Sequence, residues 1–393
     1  MSLARDPKQY EELERIRTAW SESALQEAYA QARATKFVFT RRMLLRHTLL
    51  VGATGSGKTN HAFHVIREAL SGSAAAEVRG EASCFIIDVK KEYRKLRKVL
   101  KGEVRVLAIA DEPEMKFNPL SPPAGVPDDL WDRAFADVFT RAYGLAEPSR
   151  RILHDSLAVL RKETKEQPTP RELEHQVAKF EAGSQKEQSS RRSLESRLHL
   201  INDGPIGRSL NTEATLDVPG LRGTTIFEIG RVDSLHDQRF LAELLLMQLW
   251  QYDKAQATDE EEVVKRLIVV EEAHRYLSEE RPPAQRGDRT LLELAIAEAR
   301  RYGWAFMIID QMPLLLSRYV WDNAGTVLAH RLANMASYEV VKSALGNMPI
   351  LKDEDVLDPL ALRLPENLAL FKRYVDPAVG GSALGVVTVP RVS

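Results

Sequence analysis

The sequence predicts an α/β protein: a largely parallel, doubly wound sheet interrupted by a helical insertion. Three observations carry this. Short apolar runs alternate with helix-length segments over most of the chain, the pattern of strands joined by helical crossovers. One of these runs leads directly into a glycine-rich loop and a helix. Between Pro119 and about Asp203 the apolar runs stop and helical patterns replace them.

Taken in order, residues 1–45 are charged and helix-prone, with "QYEELERIRTAWSESALQEAYAQARA" mixing apolar and charged positions as amphipathic helices do. They form an N-terminal helical appendage. Residues 46–120 hold the first strands, "HTLLVG", "CFIIDV" and "VRVLAIA". Residues 121–203 form the insertion, with the helical patterns "DDLWDRAFADVFTRAYG" and "SRRILHDSLAVLRKET", and a polar stretch at 182–193, "EAGSQKEQSSRRS", that reads as mobile. Residues 204–393 resume the sheet with "TTIFEIG", "RLIVVE", "WAFMIID", "TVLAHRL" and "LALFKRY". No internal repeat is visible.

Composition narrows the function classes. At 393 residues, 44% hydrophobic and 28% charged, the chain has the make-up of a globular protein with a full core. The net charge of −1 means that any nucleic-acid surface must be local. Cys84 is the single cysteine, which excludes an internal disulfide framework and a multi-cysteine zinc site and fits a reducing compartment. The longest apolar run, "FLAELLLMQLW" from Phe240 to Trp250, is too short to cross a bilayer and carries Glu243, so it reads as core; the N-terminus is too polar for a secretory signal. A soluble, cytoplasmic protein with no membrane partner is the expectation.

The chemistry begins at "HTLLVGATGSGKTNHAF". Gly52-Ala53-Thr54-Gly55-Ser56-Gly57-Lys58-Thr59 satisfies G-x-x-x-x-G-K-[ST] between a strand and a helix, the context in which that pattern binds nucleotide phosphates. Glycines let backbone N–H groups close around phosphate oxygens, the helix N-terminus adds its positive dipole end, Lys58 reaches the β and γ phosphates, and the Thr59 hydroxyl ligates Mg²⁺. Asn60 completes the contact set for ATP. A second signal is the apolar run "RLIVVEEAHRYL", which ends in two adjacent glutamates. A charge at the end of a doubly buried strand needs a partner or a metal. Glu271 is assigned to the Mg²⁺ shell and Glu272 to the attacking water; a glutamate at the first position departs from the usual aspartate.

Other strands also end in polar residues: Asp88, Glu228, and Asp310 followed by Gln311. Ligands of open α/β sheets lie beyond the carboxyl ends of strands, and Gln311 is the best placed of these to sense a γ-phosphate. The run "KKEYRKLRKVLK", Lys90 to Lys101, holds seven basic residues against one acid; it reads either as a solvated helix face or as a grip on phosphates. His61 and His64 lack a third ligand and read as structural, and His274 as a residue fixing loop geometry.

In order and spacing, "RHTLLVGATGSGKT", "IIDVKKEY", "FNPL", "LIVVEEAHRYL" and "EARRYGWAFMIIDQMP" resemble the HerA/FtsK superfamily, closest to HerA-like DNA-translocating ATPases. The resemblance covers roughly residues 45–375. "DVKKEY" stands where the family commonly has Asp-Pro-His-Gly-Glu-Tyr, and the N-terminal β-barrel typical of full-length HerA has no counterpart here. The resemblance implies a RecA-like core, an ATPase acting as a homohexamer, and translocation or unwinding of double-stranded DNA, with a nuclease or other effector as partner. It makes Lys58, Glu272 and Gln311 catalytic and Arg300 the finger that reaches a neighbouring subunit, with Arg301 and Arg331 as alternatives. Two further readings stay open: a type IV secretion or conjugation ATPase, and an ATP-gated scaffold that assembles an effector.

Overall fold

The computed structural model describes residues 26, 30, 41–71, 82–111, 114–164, 166–257, 264–278, 289–345, 361–366, 368–374 and 382–388. The predicted N-terminal appendage lies almost entirely outside the described residues. Along the chain run β1 (Thr48–Val51), α1 (Lys58–Ser71), β2 (Ser83–Asp88), β3 (Val104–Ala108), α2 (Asp128–Ala142), α3 (Glu147–Glu163), α4 (Pro170–Ala178), α5 (Gln185–Asp203) and α6 (Pro205–Leu210). Then follow β4 (Thr224–Glu228), α7 (Leu235–Gln256), β5 (Arg266–Glu271), α8 (Leu291–Glu298), β6 (Trp304–Asp310), β7 (Thr326–Ala329), α9 (Met335–Leu345), β8 (Leu368–Tyr374) and β9 (Ser382–Thr388). The chain divides into two compact units, residues 1–79 with 306–393, and residues 80–305.

In the first unit β1 sits between β6 and β7, parallel to both, with Leu50 opposite Ile309 and Leu328. All four residues of β1 are buried, as a strand covered on both faces requires. β8 runs antiparallel to β7 and is closed by β9. No apolar run marks β9 in the sequence: the apolar residues of "GGSALGVVTVP" are diluted by glycine, and the strand is defined by its pairing with β8.

The second unit carries the parallel order β3-β4-β2-β5. β2 and β4 are in register, so that Asp88 stands opposite Glu228 at their carboxyl ends. Phe85 and Phe227 stack across this pair at 6.0 Å. α7 is buried from Phe240 to Trp250, as the apolar run foretold. Its Phe240 closes an aromatic cluster with Phe135 and Phe139 of α2, while Trp250 meets Trp304 edge-on at 5.1 Å. Such edge-to-face pairs add to the stabilisation from burial. Cys84 is buried in β2, and desolvation pushes its thiol up, so it is an inert core residue.

Helices α2 to α6 fill the stretch after β3. Thr169 opens α4 with a capping box to Glu172, and Arg161 of α3 is bound to both carboxylate oxygens of Asp132 on α2. The stretch at 182–193 corrects the sequence expectation. Only its first residues are irregular; from Gln185 it is α5, opened by the Ser184 side chain accepting from the Glu187 N–H at 3.2 Å. Polar composition suggested mobility, but Ser190, Leu194, Leu198 and Ile201 lie on one buried face, a stripe sparse enough to hide among charges.

Candidate functional site

In the first unit the chain leaves β1 at Gly52, whose N–H donates to the Asp310 carbonyl of β6, while the Ala53 N–H donates to the Arg331 carbonyl after β7. The loop is thus suspended from both neighbours of β1. Two glycines are indispensable. Gly57 has φ 95°, and a Cβ there would lie 2.3 Å from the Glu366 carbonyl oxygen; Gly52 has φ 155°, and its Cβ would press on His330 at 2.8 Å. Thr54 and Gly55 are exposed at the crest, and Lys58 and Thr59 open α1. The Lys58 ammonium donates to the carbonyls of Gly52 at 2.7 Å and Ala53 at 2.8 Å. It is held at the mouth of the loop by weak acceptors that a phosphate oxygen would replace. Thr54 donates its hydroxyl to Gln311 Oε1, bringing the predicted sensor against the loop.

Beneath the loop lies a support the sequence reading missed. His61 Nδ1 and His330 Nε2 are 3.0 Å apart, and His330 Nδ1 is 2.9 Å from the Ser56 carbonyl. A carbonyl only accepts, so His330 carries its proton on Nδ1 and His61 must donate to Nε2. His330, whose Nε2 accepts, is therefore neutral. Desolvation holds His330 down at about 4 and His61 well below the ordinary value. The structural reading of His61 stands, but its partner lies 269 positions away and no local signal points to it.

In the second unit the strand-end acids have separate fates. Asp88 serves its own loop: its carboxylate accepts from the N–H groups of Lys90 at 2.9 Å, Lys91 at 2.8 Å and Tyr93 at 3.0 Å. Burial nevertheless pushes its carboxyl up, against these bonds. Glu228 takes Arg94 in a two-pronged pair at 2.6 and 2.7 Å. Glu271 ends β5 and is buried, and its Oε2 has no hydrogen-bond partner. Desolvation pushes its carboxyl up to about 8, opposed by Lys90 3.9 Å away. Glu272 follows in the left-handed conformation, φ 51° and ψ 46°, a placement that costs a non-glycine residue roughly 1–3 kcal/mol and that clusters at functional sites. Its carboxylate pairs with Lys90 and lies 3.6 Å from His274 Nδ1. Burial opposes the Lys90 charge, but the hydrogen bond to Glu272 and the nearby acids outweigh it and raise the ammonium.

The donors suit a hard divalent cation in one respect: a buried carboxylate with an unclaimed oxygen is what such an ion replaces a proton on. Among the described residues no group of three or more His, Cys, Asp or Glu forms a cage; Mg²⁺ takes only one or two carboxylates and leaves its other positions to water and phosphate. Arg300 is exposed just past the end of α8, a helix opened by a capping box between Thr290 and Glu293, and before Gly303 at φ 70°. The two arginines occupy a tighter 3₁₀ turn, Ala299–Tyr302, rather than the last α turn.

A glycine-cradled loop between strand and helix, on a mostly parallel sheet, defines the class of P-loop nucleoside triphosphatases. The family described as "Helicase HerA, central domain" matches residues 27–249, more than half of the chain, and the chain belongs to it. A search of curated proteins returns no match. Among solved structures, VirB4 of Thermoanaerobacter pseudethanolicus is similar with a TM-score of 0.64 at 16% identity, covering 88% of this chain and 89% of that one. The bacterial conjugative coupling protein TrwBdeltaN70 is similar with a TM-score of 0.66 at 13% identity, covering 93% of each chain. TrwB in complex with ADP and Mg²⁺ also matches, with a TM-score of 0.61 at 13% identity over 93% of this chain and 92% of that one. The fold is that of the RecA-like P-loop ATPases. No helix among the described residues is long and apolar enough to cross a membrane.

Proposed function

We propose that this chain is an ATP-driven motor that acts on double-stranded DNA. The observation that carries the reading is the loop Gly52–Thr59, with the Lys58 ammonium parked on the Gly52 and Ala53 carbonyls at its mouth. A cation so placed moves to the β and γ phosphates of ATP, and the loop N–H groups with Asn60 hold the rest. Mg²⁺ neutralises charge that develops on the phosphates. Thr59 and Glu271 hold the ion, Glu272 takes the proton of the attacking water, and Gln311 reports the γ-phosphate through its bond to Thr54. Arg300, exposed at a helix end, completes the site of a neighbouring subunit in a homohexamer. The strands of 46–120 and 204–393 form the motor core, with 121–203 inserted between them.

Membership of the HerA helicase family favours DNA as the track, with a nuclease or other effector as the machine it drives. A second reading is a conjugation or type IV secretion ATPase, favoured by the likeness of fold to TrwB and VirB4 over nearly the whole of each chain. The deciding experiment is the ATPase rate with and without double-stranded DNA, alongside the mass of the assembly. Stimulation by DNA in a hexamer supports the motor; a DNA-indifferent rate turns the reading to protein transport or to an ATP-gated scaffold. Mixing Arg300→Ala with Lys58→Ala subunits tests the ring: each is inactive alone, and mixed assemblies regain turnover if Arg300 acts across the boundary.

A further inference from the structure

Three cations of the segment after β2 engage acids of the same unit: Lys90 meets Glu272, Lys91 meets Asp111, and Arg94 meets Glu228. Lys90 differs from the others in what it covers, because Glu272 is the acid that the proposed reaction gives to water. Its Oε1 accepts from the ammonium of Lys90. While the pair holds, Oε1 is turned to the ammonium, which leaves at most the second oxygen of the carboxylate to orient a water and take its proton. The backbone of Lys90 is fixed, through its N–H and those of Lys91 and Tyr93 on the Asp88 carboxylate. The side chain has more freedom: it is 38% exposed, against 4% for Glu272. The head of the lysine can leave for solvent, and the glutamate cannot follow it.

We propose that Lys90 is a latch on Glu272, and that a backbone phosphate of DNA opens it. The phosphate draws the ammonium away, Oε1 is freed for water, and turnover rises when the track is bound. This rests on the DNA-motor reading and gives that motor its coupling. Phosphate is the natural competitor, since it offers an ammonium the same oxyanion chemistry as a carboxylate without asking it to stay partly buried. The next cations along the chain, Lys95, Arg97 and Lys98, are exposed, so a polyanion arriving at Lys90 meets them together. Resemblance alone gives no such role, because this loop reads "DVKKEY" where the related motif has proline and histidine.

The test compares the full-length wild type with Lys90→Met and Lys90→Arg, measuring ATPase rate with and without duplex DNA, thermal melting, and DNA affinity across a salt series. Lys90→Met is expected to raise the DNA-free rate about tenfold, to bring stimulation by DNA close to none, and to lower the slope of log affinity against log salt by about one. Lys90→Arg, which keeps a cation, retains a low DNA-free rate. If Lys90→Met melts early, Lys90→Gln carries the same readout: an intermediate DNA-free rate supports the latch, and a wild-type rate overturns it. A wild type stimulated by DNA, with a well-folded Lys90→Met equally dependent on it, overturns the latch and leaves the motor reading standing. A wild type that hydrolyses ATP indifferently to DNA overturns both.

Discussion

The phosphate loop of the first unit and the acid-bearing strand ends of the second hold their functional groups by opposite means. The loop works mainly with backbone: its N–H groups, three glycines at positive φ, and a lysine folded onto the loop's carbonyls. The strand ends work with side chains brought from elsewhere: Arg94 reaches Glu228 across 134 positions, and Lys90 reaches Glu272 across 182. Backbone geometry is set by local sequence and is intolerant of change. These ion pairs are set by tertiary packing: each joins a buried acid to a cation that is partly exposed, so the acid's position is fixed and its partner can exchange with solvent. Damage to the loop should therefore abolish nucleotide handling, while damage to the acids should separate binding from turnover.

The largest effect is expected for Lys58→Ala. Without the ammonium, nucleotide affinity falls and hydrolysis is lost, with the fold intact by circular dichroism. Normal turnover in that protein would remove the loop from the mechanism. Glu272→Gln should come next, slowing hydrolysis about 10²–10⁴-fold while ATP and Mg²⁺ remain bound, as equilibrium binding and single-turnover rates would show. Parallel loss of binding and turnover in this variant would erase the distinction between the two regions. Gly57→Ala sharpens it from the other side: the methyl meets a backbone carbonyl and the φ of 95° is costly for alanine. The φ alone costs about 1–2 kcal/mol and the clash with backbone adds to it, read as at least roughly tenfold weaker nucleotide binding by calorimetry together with a lowered melting temperature.

The last effect is one of pH, and it belongs to the acids alone. Burial raises the Glu271 carboxyl from 4.5 to about 8, so the metal-free folded chain keeps a proton that the unfolded chain releases near 4.5. The sign follows: this group's contribution to stability is complete below pH 4.5 and is lost as pH rises to about 8. A cation at Glu271 must displace that proton, so the Mg²⁺ concentration needed for half-maximal turnover should fall between pH 6.5 and 8.5, roughly up to tenfold per unit. Glu271→Gln should weaken the metal requirement's hold and flatten its pH dependence. An equally steep profile in Glu271→Gln would transfer the metal to another residue.

Sequence by itself determined the elements whose cause is local. Eight strands were legible as apolar runs, most clearly β1, β2, β5 and β6, because a strand buried on both faces has few polar positions to break it. The loop Gly52–Thr59 was legible because its glycines, lysine and threonine must stand at fixed spacing to surround a phosphate. Tertiary structure alone decided what those elements meet. It turned the polar stretch after Ser184 into a helix by giving Leu194 and Leu198 something to cover. It divided one basic run into cations that answer buried acids and others that face solvent, and it placed His330 under the loop through a hydrogen bond to the Ser56 carbonyl. The physical reason is range: backbone conformation is fixed by neighbours in sequence, whereas the partner of a buried charge or ring is fixed by the low-dielectric space into which distant segments are brought.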